Sequence, residues 1–332
     1  MLRVWKLSGE ELAAVKEERF GGERTVKELK HLLQQVHGFP VCMQQLVRDG
    51  STVDDIAELE FPDHLQLVLL PATCALTPMV ESAFYDACAR EQVEAVRSIL
   101  QTGVRPCRMK DTLMSACLNN RVEIARLIVE ADSTTMDYRA WRGGQTALLE
   151  AAHKGNHEIV RLLLEAGASK DLANDRGQTA LIRSSERGHL EVTRILLKAG
   201  AEKDKRDTDD NTALMLAADK GHIEIVRLLV AAGANLDVQN RDSKNTALIQ
   251  ASIKGHVEIA RLLVQAGAKL DIKGRHLCKR LPALVCATIE GHIDIVRMLL
   301  DTGVNLDLPV AISEAGRHGH GEIVRLLAAA GG

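Results

Sequence analysis

A near-copied segment recurs along this chain, and its period constrains the fold more than any other feature. HKGNHEIVRLLLEAGAS, ERGHLEVTRILLKAGAE, DKGHIEIVRLLVAAGAN and IKGHVEIARLLVQAGAK align on Gly155, Gly188, Gly221 and Gly255, at intervals of 33, 33 and 34 residues. IEGHIDIVRMLLDTGVN follows on Gly291, 36 residues later. A second shared element precedes each copy: QTALLEAA, QTALIRSS, NTALMLAA, NTALIQAS and LPALVCAT. Weaker copies flank the series. AREQVEAVRSILQTGVR and LNNRVEIARLIVEADST precede it and RHGHGEIVRLLAAAGG ends it, giving eight units from about residue 80 onward. A fixed period of this length means one supersecondary unit stacked on copies of itself.

Each unit reads as two short helices. The first, such as TALLEAA, opens at a Thr suited to cap its N-terminus, and its alanines permit close approach of the next unit. The second, HEIVRLLLEAG, sets Ile159, Leu162 and Leu163 on one face at helical spacing. It stops at a Gly suited to the left-handed C-cap conformation. A polar stretch such as ASKDLANDRG then has the length for a projecting, hairpin-like loop.

The pattern TALxxAAxxGHxEIVRLLLxxGA resembles the ankyrin repeat. The resemblance implies an α-solenoid of stacked helix pairs with β-hairpin-like loops and a concave surface that binds protein. Where that family carries T-P-L-H, this chain has T-A-L followed by Leu149, Ile182, Met215 or Ile249, so apolar packing replaces the family's hydrogen bond. Binding residues are expected among the non-consensus positions. Glu150, Arg183, Leu216, Gln250 and Cys286 occupy one equivalent place in successive units. The longest loop, KLDIKGRHLCKR, concentrates Arg275, Lys279 and Arg280 with Lys269 and Lys273, a cluster suited to an acidic segment of a partner.

The first seventy residues follow a different rule. LRVWKL alternates, with Leu2 and Val4 on one side of a strand and Arg3 and Trp5 on the other. TVKELKHLLQQVHG carries a capping box, Thr25 with Glu28, and apolar positions Val26, Leu29, Leu33 and Val36. MQQLVRDG, STVDDIAEL and the strand-like HLQLVLL come next. The order strand, turn at LSGE, strand, helix, short strand and final strand is similar to ubiquitin, which implies an α+β ubiquitin-like (β-grasp) domain over 1–72. A linker at 73–79 and the repeat array over 80–332 complete the expected organisation. The ubiquitin resemblance also implies an apolar protein-binding patch at Leu7, Val47, Gln66 and Val68, and Trp5 shares that face by strand alternation.

Composition narrows the function. Apolar residues are 46% of the 332 and aromatics 2%, so the core must be thin and aliphatic. A net charge of −3 argues against a general grip on nucleic acid or an anionic membrane. No run approaches the roughly 20 apolar residues of a membrane-spanning helix. The seven cysteines form no C-x-x-C pair, and reducing cytoplasm, or the nucleus, is the expected location.

Chemistry finds little footing. His189, His222, His256, His292 and His320 recur with the repeat, whereas a catalytic base is needed once, so they read as structural. His318 with His320, and Cys278 and Cys286 with His276, lack the spacing of a metal site. Phosphate-binding and nucleophile-elbow motifs do not occur. Acid–Arg pairs three residues apart, such as Glu158/Arg161 and Glu191/Arg194, mark a solvated helix face. The expectation is a monomeric, non-catalytic adaptor without cofactor or metal. Its ubiquitin-like domain would engage ubiquitin or proteasome machinery and its array a protein client. The alternative is a structural scaffold whose N-terminal domain is only a folded cap. Counting six residues on from Arg325 leads to Gly331, so the closing Gly-Gly reads as the eighth unit's helix cap.

Overall fold

The computed structural model describes residues 2–6, 11–15, 25–37, 44–48, 51–53, 57, 59, 63–69, 77–101, 109–140, 143–303 and 307–331. They fall into two compact units, 1–136 and 137–332.

In the first unit a five-stranded mixed sheet carries one helix. The strands are β1 (Leu2–Lys6), β2 (Glu11–Val15), β3 (Gln44–Arg48), β4 (Ser51–Thr52) and β5 (Asp63–Leu69), in the spatial order β2-β1-β5-β3-β4. The central β1–β5 pair is parallel and its neighbours are antiparallel. Alternation works as expected: Leu2, Val4, Leu46, Leu65 and Leu67 are buried, while Arg3 and Gln66 face outward. Helix α1 (Val26–His37) adds Val26, Leu29 and Leu33 to that core. The Oγ1 of Thr25 accepts from the Glu28 N–H at 3.3 Å, which is half of the capping box. Val36 departs from the expected apolar stripe, being 54% exposed near the end of α1.

Two helix pairs complete this unit: α2 (Thr77–Ala89) with α3 (Val93–Gln101), and α4 (Met109–Leu118) with α5 (Val122–Ala131). Phe84, Ile99, Leu113, Ile124 and Ile128 form their core. Pro78 occupies the first turn of α2, where its missing N–H is harmless.

The second unit repeats one design. Its pairs are α6 (Ala147–Lys154) and α7 (His157–Glu165), α8 (Ala180–Arg187) and α9 (Leu190–Lys198), α10 (Ala213–Lys220) and α11 (Ile223–Ala231). They continue through α12 (Ala247–Lys254) and α13 (Val257–Gln265), α14 (Ala283–Glu290) and α15 (Ile293–Leu300), and α16 (Leu308–Arg317) and α17 (Gly321–Gly331). First helices stack on first helices and second on second, so each unit completes its neighbour's core.

The repeated residues explain the repeated geometry. Thr146, Thr179, Thr212 and Thr246 each accept the N–H three residues on, at 3.3–3.4 Å, and so cap the first helix. Pro282 takes that place before α14 and supplies no side-chain cap. Gly155, Gly188, Gly221, Gly255 and Gly291 end the first helices at φ from +76° to +81°, a region costly for any residue with a Cβ.

Leu149, Ile182, Met215 and Ile249 are each 1% exposed, in keeping with apolar packing where the ankyrin family has His. Each such burial contributes about 1.5–3 kcal/mol relative to exposure. On the second helix the buried stripe is Ile159, Val160 and Leu163, with Leu162 only half-buried at its edge.

Gly331 corrects the expected cap. Gly167, Gly200, Gly233, Gly267 and Gly303 all have positive φ, but Gly331 continues α17 without it. The three alanines before it are strong helix formers and carry the helix through.

Candidate functional site

Because the units superpose on one frame, a row of equivalent positions becomes a surface. Glu150, Arg183, Leu216 and Gln250 lie half-buried on successive, mutually packed first helices α6, α8, α10 and α12. The row thus runs acid, base, apolar, amide. Burial pushes the Arg183 guanidinium below its ordinary value, opposed chiefly by the Glu150 and Glu186 carboxylates. Its Nη1 donates to Gln178 Oε1 at 3.3 Å, while Nε has no partner among the described residues. Gln250 Oε1 and His153 Nδ1 are likewise buried and unpartnered on these helices.

His153 is a second perturbed titratable group on this face. Desolvation, then Arg183, Arg187, Lys154 and His189, lower its pKa to about 4, so the ring stays neutral at neutral pH.

Cys286, expected as the fifth member, does not join the row. It is fully buried, its Sγ faces the Leu281 carbonyl, and burial followed by Glu290 pushes the thiol up to about 12. The run Leu281–Ile289 is buried throughout, so a small apolar thiol serves there as packing.

The expected basic loop forms a hairpin, β6 (Gly274–His276) with β7 (Lys279–Leu281). Arg275 and Arg280 are exposed, but Lys279 Nζ is held 2.5 Å from Glu314 Oε1. Lys279 therefore braces the hairpin on α16 instead of standing free for a partner.

In the first unit the sheet register brings three expected patch residues together. Gln66 pairs with Trp5 on one side and Val47 on the other, which sets Trp5, Gln66 and Val47 in one row across β1, β5 and β3. Trp5 and Val47 are half-buried and Gln66 is exposed. The side chains of Leu7 and Val68 lie outside the described residues.

The same unit has a cleft of about 310 Å³ bordered by Tyr85, Cys88, Asp111, Ser115 and Arg121. Arg121 is committed there to Cys88 O, Ala89 O and Glu91, and burial pushes the Cys88 thiol up to about 12. This chemistry braces one helix pair on the next.

The recurring histidines have a structural task. Nε2 of His189, His222, His256, His292 and His320 donates to a backbone carbonyl of the preceding unit at 2.9, 3.2, 3.2, 3.1 and 3.0 Å. A second ladder is absent from the sequence reading. The Oδ1 atoms of Asp137, Asp171, Asp204 and Asp237 accept from the N–H of Ser169, Glu202, Asn235 and Lys269 at 2.8–2.9 Å. These aspartates recur every 33–34 residues, a signal carried by the loops and not by the conspicuous helices. Six of the acid–Arg pairs close at 3.2–3.8 Å with both side chains in water, where each stabilises by only about 0.2–0.5 kcal/mol. Among the described residues no group of three or more His, Cys, Asp or Glu is placed to hold a metal ion.

Family comparison agrees with this architecture. A model described as ankyrin repeats (3 copies) matches residues 134–207 and 199–274, and one described as ankyrin repeat matches 281–311. The chain belongs to the ankyrin-repeat family. Ankyrin repeats are protein–protein interaction modules, which points to protein partners for this array. No curated protein gives a significant match to the chain. No helix among the described residues is long and apolar enough to cross a membrane.

Proposed function

We propose that this protein is a non-catalytic adaptor whose ankyrin array holds a protein client on its first-helix face. One observation carries the reading: on units that are otherwise near copies, the row Glu150, Arg183, Leu216 and Gln250 changes chemistry at every step. A purely structural position repeats, as the Thr caps and the histidines do. The unpartnered Arg183 Nε and Gln250 Oε1 add donors and acceptors for which a client's polar groups are suitable partners.

The N-terminal domain in this reading is ubiquitin-like and serves as the handle for ubiquitin or proteasome machinery. Support comes from the β2-β1-β5-β3-β4 order with a parallel central pair, and from the Trp5–Gln66–Val47 row on the outward face. A second reading, a folded end cap, draws on a different observation. Gln92 Nε2, in the turn after α2, lies 3.5 and 3.4 Å from the Gln35 and Val36 carbonyls of α1, which ties the sheet domain to the first helix pair.

Proximity labelling with the full chain names the client, and purified binding then tests the face. Arg183→Glu with Leu216→Arg is expected to weaken the client by more than about tenfold, the size of a hot-spot loss. Unchanged affinity would remove the first-helix face from the reading. Val47→Asp in the full chain separates handle from cap: an adaptor loses its ubiquitin or proteasome receptor, and a cap never had one.

A further inference from the structure

The hairpin β6–β7 has two faces, and only one of them is neutralised by the described residues. Cross-strand partners share a face of a ribbon and successive pairs alternate. Gly274 with Leu281 and His276 with Lys279 therefore lie on one side, and Arg275 with Arg280 on the other. On the first side Gly274 and Leu281 are buried, His276 Nε2 meets Glu290 Oε1 at 2.8 Å, and Lys279 meets Glu314. Lys273, just ahead of the strand, lies 2.6 Å from Asp307.

The second side has no such partner among the described residues. Arg275 and Arg280 are both exposed, and neither forms an ion pair with a described carboxylate, Asp242 of the adjoining loop included. The Arg275 N–H donates away from β7, to the Ser243 carbonyl, so Arg275 and Arg280 are a non-hydrogen-bonded pair, the kind whose side chains approach most closely. Two cations directly opposite on a ribbon repel each other. The tip next to them is Leu277 and Cys278, at φ +45° and +62°, which leaves Leu277 56% exposed.

We propose that Arg275 and Arg280 form a clamp for an acidic peptide segment of a protein partner, with Leu277 covering an apolar residue beside the carboxylates. The inference rests on the reading of the array as a protein-binding module and adds the chemistry of the partner. Two planar guanidinium forks on one face suit carboxylates, which they engage in a bidentate manner. A bound carboxylate also relieves the repulsion between them. Nucleic acid and anionic membranes fit less well: the chain is net negative, and one arginine pair cannot follow a phosphate backbone.

The probe is a short fluorescein-labelled peptide alternating Glu and Leu, titrated with the full chain by anisotropy at low salt beside a Gln-for-Glu control. The acidic peptide is expected to bind saturably and the control not to bind. Arg275→Glu with Arg280→Glu should weaken it about tenfold, the sum of two partly exposed charge contacts. Arg275→Gln with Arg280→Gln should act in the same direction without reversing charge. Arg280→Glu alone gives the sharper result, because it sets a carboxylate opposite Arg275: melting temperature rises while peptide binding falls. Equal binding by wild type and the double variants, no binding by wild type, or preferred binding of single-stranded RNA or phosphatidylserine vesicles would each overturn the clamp. A client that is lost on first-helix substitution but binds the Arg275/Arg280 variants normally overturns the clamp alone. A client indifferent to both sets overturns the array reading as well.

Discussion

The imidazole of His189 lies directly over Gly155: a Cβ built on that glycine would come within 2.6 Å of the His189 Nδ1. The same ring donates from Nε2 to the carbonyl of His153, two residues before the glycine. Each unit thus closes on the one before it through a His that needs a Gly beneath it, and Gly188, Gly221, Gly255 and Gly291 repeat the arrangement.

The two glycines of a unit should consequently differ in tolerance. Gly155→Ala meets both a left-handed φ of +81° and the His189 ring, and is expected to cost about 2 kcal/mol or more. Gly167→Ala has φ +95° but nothing within 4 Å of the added methyl, and should cost about 1 kcal/mol. Urea denaturation of the two variants checks the order, and equal losses would refute the steric role of the histidine.

Gly188 and His222 provide a thermodynamic cycle for the same contact. His222→Ala removes the 3.2 Å bond to the Glu186 carbonyl and is expected to cost about 1–2 kcal/mol. It also clears the space that a Gly188 methyl would need, the ring lying at 2.7 Å. The double variant should be less destabilised than the sum of the single ones by about 1 kcal/mol. Strict additivity would show that the ring does not set the limit.

The depressed pKa of His153, about 4, has a pH signature. The unfolded chain binds the proton near pH 6.5 and the folded chain only near 4, so between those values the unfolded state holds more protons and stability rises with pH. Acidification through that window should destabilise the array, and His153→Gln should flatten that part of the curve. Arg183→Gln removes the largest repelling charge and should raise the His153 titration midpoint, read by NMR of the ring protons.

Glu314 acts in the same sense, in a more acidic range. Its side chain is buried, and the hydrogen bond from Lys279, aided by the charges of Lys279, Arg317 and His318, holds its carboxyl below the usual range. The contribution is present above the unfolded carboxylate value near 4.3 and is lost as pH falls through the lower folded value. Glu314→Gln should lower the neutral-pH melting temperature and weaken its dependence on pH in that acidic range. A melting profile parallel to wild type down to acid would show that the Lys279–Glu314 contact carries no stability.

Much of this architecture was legible because it is local and repeated. A Thr followed by Ala-Leu caps a helix by contacts within three residues, and a Gly that ends a helix with positive φ needs no distant partner. The alternation of Leu2, Val4, Leu65 and Leu67 likewise announces a one-sided sheet. The candidate sites were legible as positions and less so as surfaces. Cys286 shares its place in the unit with Leu216 and Gln250, but only the packing around Leu281–Ile289 buries it. Lys279 shares its loop with Arg275 and Arg280, and a carboxylate 35 residues away decides that it is already occupied.

The amino-acid sequence alone determined the period, the two-helix unit, its caps and the aliphatic core, since each follows from neighbours along the chain. Only the tertiary structure decided which unit faces meet: the His rings over the preceding glycines, the aspartate ladder through the loops, and the hairpin face without a partner among the described residues. The His contacts join residues 31 to 39 apart. Their geometry depends on the rise and rotation between units, which is set by how whole helices pack and is not encoded in any single repeat.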